Sequence, residues 1–186
     1  MPNLKNKILT LESLLTGIAL VRWLLLAPSL FMSKVLWVWG RLRFSALVRQ
    51  RGSGCVCHWN ADLKYPENLV LGDDVVIGVN ASIGAHSPIH IGHRVRISKD
   101  VQIETAGLDF QSGPPPYRHM SKPIFIEEGV WIGTRSIVLG GVRLGAHSVV
   151  AAGSIVTRDV PPRTLVAGMP AKVLRQLPDL KRDDKL

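Results

Sequence analysis

Cysteine is nearly missing from this 186-residue chain, which has only Cys55 and Cys57. A C-x-C pair without a second pair makes neither a disulfide framework nor a structural zinc site, and such usage suits a reducing cytosol. Acidic residues are also scarce, 14 against 23 Lys and Arg, for a net charge of +9. That excess points to an anionic partner, a membrane surface or a phosphate-bearing small molecule. Aromatics are 6% of the residues and do not interleave with the cations. With no helix-turn-helix, zinc-finger or RNA-binding pattern, nucleic acid is set aside. The length admits one domain with an appendage and excludes two catalytic domains.

Uncharged apolar residues are plentiful near the N terminus. The 21 residues between Glu12 and Lys34 carry one charge, Arg22, and one strong breaker, Pro28. As a helix this stretch just spans a bilayer core, with Arg22 offsetting much of the gain from its aliphatics. Val35, Val38, Trp39, Leu42 and Ala46 continue at helical spacing beside Lys34, Arg41, Arg43, Arg49 and Arg51, as in a basic helix lying among headgroups. Trp23, Trp37 and Trp39 suit interfacial anchors. Residues 1–52 are therefore expected to form a helical, membrane-associated segment. The same composition would also serve an arm packed on a neighbouring subunit. No small-x-small site closes the run, so a cleaved signal peptide is not expected.

Beyond Gly52 the period is six. Large aliphatics stand at Leu71, Ile77, Ile83, Ile91, Ile97, Ile103, Ile126, Ile132, Val138, Leu144, Val150 and Val156. Four residues after each comes a small or branched residue, among them Val75, Ala81, Val95, Val101, Gly107, Val130 and Val142. Neither a strand nor a helix has this period. Three hexads closing one triangular coil do, with the aliphatics stacked inside. Four coils at about 4.8 Å each make a prism of about 19 Å. An imperfect extra coil is expected from Trp59, a bulged turn at Pro88-Ile89, and a projecting loop over 109–122, where Q-S-G-P-P-P-Y-R-H-M-S-K cannot continue a coil. Such a loop is usually functional. Pro161-Pro162 ends the repeat, Pro170 is expected to open a capping helix over Ala171–Leu177, and residues 178–186 form a charged tail.

Three stretches carry a family resemblance: K-P-I-F-I-E-E-G-V-W-I-G at 122–133, G-G-V-R-L-G-A-H-S-V-V-A-A-G-S-I-V-T-R-D-V-P-P at 140–162, and V-A-G-M-P-A-K-V at 166–173. The chain resembles the hexapeptide-repeat acyltransferases, above all the galactoside, maltose and xenobiotic acetyltransferases and the O-acetyltransferases of surface polysaccharides. The resemblance implies an all-β, left-handed parallel β-helix over 53–177, acetyl-CoA as co-substrate without a metal, and a homotrimer with active sites between prisms. It also implies coenzyme A contacts at Thr134, Ala152, Gly153, Thr157, Arg158 and Lys172, with Trp131 walling the cleft. The residue chemistry agrees. Small residues let pantetheine amides reach backbone, and Arg158 and Lys172 suit phosphates. Individually, the same residues would serve as turn formers and solvated cations.

The departure lies at the base. The family draws its proton-accepting His from the root of the projecting loop, where this chain reads T-A-G-L-D-F, so the position falls on Gly107 or Leu108. Neither moves a proton. His119 in the loop and His86 one coil below Ala106 are the substitutes, with Asp109 as an orienting carboxylate and Asn80 as a holder of the acceptor hydroxyl. His90, His93 and His147 read as turn residues.

The expected activity is O-acetylation of a sugar hydroxyl, in surface polysaccharide biosynthesis at the cytoplasmic face of the membrane. Two alternatives stand beside it. A non-catalytic acyl-CoA-binding solenoid would explain the missing His. A zinc hydratase of the gamma carbonic anhydrase type would use His86, His90 and His93, whose spacing within one coil is wrong for it.

Overall fold

The computed structural model describes residues 2–178. The charged tail expected beyond Pro178 lies outside the described residues. Two helices come first, α1 (Pro2–Gly17) and α2 (Ala19–Leu47). The break falls at Ile18, next to Gly17, and not at Pro28, which sits inside α2. Leu-rich sequence without long β-branched runs carries the helix past the lost N–H. Val21–Leu47 is long and apolar enough to cross a membrane, and its apolar stretch is unburied.

The chain divides into two compact units, Met1–Trp39 and Gly40–Leu186. The boundary expected at residue 52 thus moves into α2. The cause is the last part of the helix and the residue after it, whose Phe44 and Val48 are buried with the first coil. Arg43 donates to the carbonyls of Trp59 (3.2 Å) and Ala61 (3.4 Å), and Arg51 donates to the Val48 carbonyl (3.1 Å). A Cβ at Gly40 would come within 2.7 Å of Trp59 Cβ, so glycine allows this approach.

The second unit is a parallel β-solenoid with three faces. Its first coil is β1 (Gln50–Arg51), β2 (Val56–Cys57) and β3 (Asp62–Lys64). The second is β4 (Leu69–Leu71), β5 (Val76–Ile77) and β6 (Ser82–Gly84), preceded by a 3-10 turn at Pro66–Asn68. The third is β7 (Ile89–Ile91), β8 (Arg96–Ile97) and β9 (Gln102–Glu104). A hairpin of β10 (Ala106–Asp109) and β11 (Arg118–Ser121) then leaves the solenoid. The fourth coil is β12 (Ile124–Ile126), β13 (Trp131–Ile132) and β14 (Ile137–Leu139); the fifth is β15 (Arg143–Leu144), β16 (Val149–Val150) and β17 (Ile155–Val156). β18 (Thr164–Gly168) continues the second face and β19 (Ala171–Gln176) turns back along it.

All twelve of the aliphatics read from the period are buried inside. Each contributes about 1.5–3 kcal/mol by leaving water, and parallel pairing closes the backbone ladder from coil to coil. Glycine follows several of them because a Cβ at Gly72 or Gly92 would lie 2.7 Å from the backbone of the next coil.

Three further expectations are corrected. The additional coil starts at Gln50, ahead of Trp59, because Arg51 and Cys57 occupy register positions taken by aliphatics above them. The projecting loop starts at Ala106, so Gly107 belongs to the hairpin and not to the repeat. The expected C-terminal helix is a strand: β19 pairs antiparallel with β18, Val166 opposite Val173 and Ala167 opposite Lys172. A seven-residue helix would gain little on its own, whereas the hairpin satisfies the edge of the second face.

Candidate active site

One corner of the prism, between its third and first faces, absorbs every change in coil length. Register partners on the first face are 20 residues apart at Arg51↔Leu71 and at Leu71↔Ile91, 35 at Ile91↔Ile126 and 18 at Ile126↔Leu144. The extra residues place Tyr65 on the first level of this corner, His86 on the second and the whole hairpin on the third. Gly140-Gly141 and then Thr157-Arg158 follow above.

The hairpin root is tied to the solenoid. Buried Thr105 donates Oγ1 to the Gly84 carbonyl (2.9 Å) and accepts from Ser87 N (3.0 Å), and Lys122 N donates to the Thr105 carbonyl (3.1 Å). Glu104 accepts from Ala106 N at 3.0 Å. From this root β10 and β11 run antiparallel with Leu108 opposite His119 and Asp109 opposite Arg118. Directly opposed side chains in an antiparallel pair project to the same face. His119 therefore shares a face with Leu108, where the base was expected and is absent.

Ser121, two residues along, lies on that face too. Its Oγ is 3.2 Å from His86 Nδ1 and 2.6 Å from Ser87 Oγ. The His86 ring also meets Tyr65 edge-to-face, centroids 5.4 Å apart. The two candidate imidazoles thus stand toward one side of the hairpin, His86 held by two partners and His119 exposed. Asp109 alternates to the other face, and its Oδ1 accepts from Gln111 N (3.0 Å) as a turn cap. None of Tyr65, Ser121 and Glu104 was read from the sequence as a site residue. The 20-residue register, which sets Lys64 opposite Gly84, is the one signal that brings Tyr65 to the level below Ala85 and His86.

The remaining candidates occupy other places. Asn80 lies at the corner between second and third faces, in a ladder where it accepts from Asn60 Nδ2 and donates Nδ2 to Asp100 Oδ1 (3.1 Å). Thr134, Ala152 and Gly153 stack above it, Gly153 N donating to the Thr134 carbonyl (2.8 Å). A Cβ at Gly153 would meet nothing within 4 Å, so this edge is open. Arg158 sits above the hairpin corner and Lys172 on β19, both exposed. Trp131, on the second face, is 55% exposed, its Nε1 donating to Ser98 Oγ (3.0 Å).

Among the described residues no three His, Cys, Asp or Glu side chains are grouped to hold a metal ion. His86 turns to Ser121, His90 stacks on Phe125 (5.1 Å) and His93 pairs with Asp73 (3.1 Å). Hydrogen bonds from Ser53, with a smaller contribution from His93, hold the Asp73 carboxyl below its ordinary value. Burial pushes the Cys57 thiol up to about 11, so at neutral pH it stays protonated and is a poor nucleophile.

Two family models match, the bacterial transferase hexapeptide (six repeats) over residues 123–158 and the hexapeptide repeat of succinyl-transferase over 68–98. The galactoside O-acetyltransferase of Lactococcus lactis is 34% identical over 117 residues, 61% of this chain and 55% of that protein. The chain spans about half the length of the curated relatives it matches. A hexapeptide-repeat-containing acetyltransferase from Vibrio cholerae superimposes with a TM-score of 0.70 at 32% identity, covering 80% of this chain and 90% of the other. Its structure complexed with acetyl coenzyme A gives 0.63 at 35% identity, covering 73% and 75%.

Proposed function

Because the chain belongs to the hexapeptide-repeat acetyltransferases, we propose that it moves an acetyl group from acetyl-CoA to a sugar hydroxyl, with His119 as general base. The observation that carries this reading is the register Leu108↔His119, which returns an imidazole to the hairpin root. In the reaction the imidazole takes the acceptor's hydroxyl proton as its oxygen attacks the thioester carbonyl. The C–S bond then breaks, and the departing sulfur takes the proton from the imidazolium. Ester and thiol leave, and the base is regenerated. His86, fixed between Tyr65 and Ser121, is suited to positioning the acceptor or the hairpin.

The donor lies along the open edge at Thr134, Ala152 and Gly153, with its phosphates toward Arg158 and Lys172. One prism spreads these groups and the imidazoles over different corners, which supports a homotrimer in which neighbouring prisms complete each site. The apolar span in Val21–Leu47 and the Lys34, Arg41, Arg43, Arg49 and Arg51 cluster beyond its first half, against Lys5 and Lys7 before it, support attachment to the cytoplasmic face of the membrane. There the acceptor is a precursor of a surface polysaccharide.

The test is transfer from radiolabelled acetyl-CoA to a panel of mono- and disaccharides, with a matching panel of amino sugars. Label in ester linkage to a hydroxyl sugar is the expected result. Label found only on amines would overturn O-transfer, and none on any acceptor would favour a non-catalytic binder. Fractionation of full-length and 40–186 protein, the latter keeping the whole second unit, tests attachment: only the full chain should sediment with membranes.

A further inference from the structure

The hairpin that leaves the solenoid has two unlike faces. Its register sets Ala106 opposite Ser121, Gly107 opposite Met120, Leu108 opposite His119 and Asp109 opposite Arg118. Alternation along each strand then puts Gly107, Met120, Asp109 and Arg118 on one face and Ala106, Ser121, Leu108 and His119 on the other. One step further along, the same register brings Phe110 opposite Tyr117, and their rings meet edge to face with centroids 5.1 Å apart. The face that carries the imidazole thus ends in an aromatic pair that the proposed transfer does not use.

The solenoid interior does not claim these side chains. Phe110 is 68% exposed and Leu108 39%, and a two-stranded hairpin gains little stability by itself. The turn beyond Phe110 is held by polar contacts instead: Asp109 Oδ1 accepts from Gln111 N (3.0 Å), and Ser112 Oγ donates to the Asp109 carbonyl (3.4 Å). Pro114, Pro115 and Pro116 follow and restrict the chain's freedom. The aromatic pair is therefore presented on a short arm with a fastened turn.

The spacing along the arm sets the ligand. Two residues of antiparallel strand cover about 7 Å, so the aromatic level stands roughly one sugar ring beyond the level of His119. A hydroxyl whose proton the imidazole takes belongs to a molecule that also lies against Leu108, Phe110 and Tyr117. A pyranose meets both demands: hydroxyls surround its edge, and its C–H groups form an apolar face that packs on an aromatic ring. A hydrocarbon tail would fill the apolar strip and offer no hydroxyl to the imidazole. We propose that Phe110 and Tyr117 form a subsite for the sugar ring adjoining the one acetylated, so that the acceptor is an oligosaccharide or glycoside of at least two rings. The inference rests on the transfer reading for its choice of a sugar.

The experiment is a ligand-observed NMR titration of the full-length protein, without acetyl-CoA, using glucose, galactose, maltose, lactose, maltotriose and cellotriose. Phe110→Ala and Tyr117→Ala remove the rings, Tyr117→Phe keeps one, and particle mass is followed for all. Wild type should bind at least one di- or trisaccharide more tightly than its monosaccharide. Each Ala variant should shrink that preference about fivefold or more, and Tyr117→Phe should keep it within about twofold. In the transfer assay the Ala variants should raise KM for the longer acceptor more than they lower kcat. If no di- or trisaccharide binds, or if the Ala variants leave the preference intact, the proposal is overturned. A change of particle mass without a change of preference would also overturn it, since the pair would then serve contact between copies of the chain. Binding with the expected preference but no acetyl transfer to any sugar would uphold the subsite and count against the transfer reading.

Discussion

The interior of the prism and its third-to-first corner obey opposite rules. Inside, one aliphatic per strand repeats through the second to fifth coils with little variation, and each is buried. At the corner, coil length changes from 20 to 35 to 18 residues, and the side chains are as unlike as Tyr65, His86 and the hairpin. Uniform stacking supplies the stability that lets one corner vary. The corner contributes little apolar burial, and it carries both imidazoles considered for the proposed transfer.

Matched truncations should separate the two regions most strongly. Ile103→Ala removes a side chain only 1% exposed and should destabilise by about 2–5 kcal/mol in denaturant melts. Leu108→Ala, 39% exposed in the hairpin, should cost less than about 1 kcal/mol. Equal losses would erase the distinction. A smaller effect is expected at the top of the corner, where Arg158→Ala should weaken coenzyme A by up to about 1.5–3 kcal/mol, less where water screens the contact. Phosphate-free pantetheine should be unaffected. Calorimetry with both ligands checks this, and equal losses for the two would remove Arg158 from phosphate binding.

The smallest effect concerns a turn distant from the hairpin. Asp73 has its folded pKa lowered by the Ser53 hydrogen bonds and, less strongly, by His93. Its contribution to stability is therefore fully present above the unfolded value of about 3.9 and is lost as pH falls through the lower folded value. Wild type and Asp73→Asn should differ in unfolding midpoint near neutral pH and converge in acid. A difference that grows as pH falls would contradict the assignment.

The contrast also explains what was legible in the sequence. Leu71, Ile77, Ile83 and their successors announced the solenoid because every coil repeats the same steric demand. The first coil hid its start because Arg51 and Cys57 interrupt the aliphatic series, Arg51 serving instead to bond the Val48 carbonyl. Pro170 suggested a helix start, yet the following residues pair with β18, a tertiary preference that local signals do not carry. At the site, the position of His86 below Ala106 followed from counting coils. The pairing of His119 with Leu108 did not, since it depends on how residues 110–117 turn, and no repeat governs them. Tyr65 and Ser121 escaped for the same reason.

That pairing is the central claim, and moving the imidazole across it is the most direct test. Turnover at saturating acetyl-CoA should be measured for wild type, His119→Ala, and His119→Ala combined with Leu108→His, with coenzyme A affinity and particle mass held as controls. Loss of a positioned base should cost about 10²–10⁴ in rate. Because the two Cβ atoms of an opposed pair lie about 5 Å apart, the combined variant should regain at least about tenfold. Retention of more than about a tenth of wild-type turnover by His119→Ala would contradict the account.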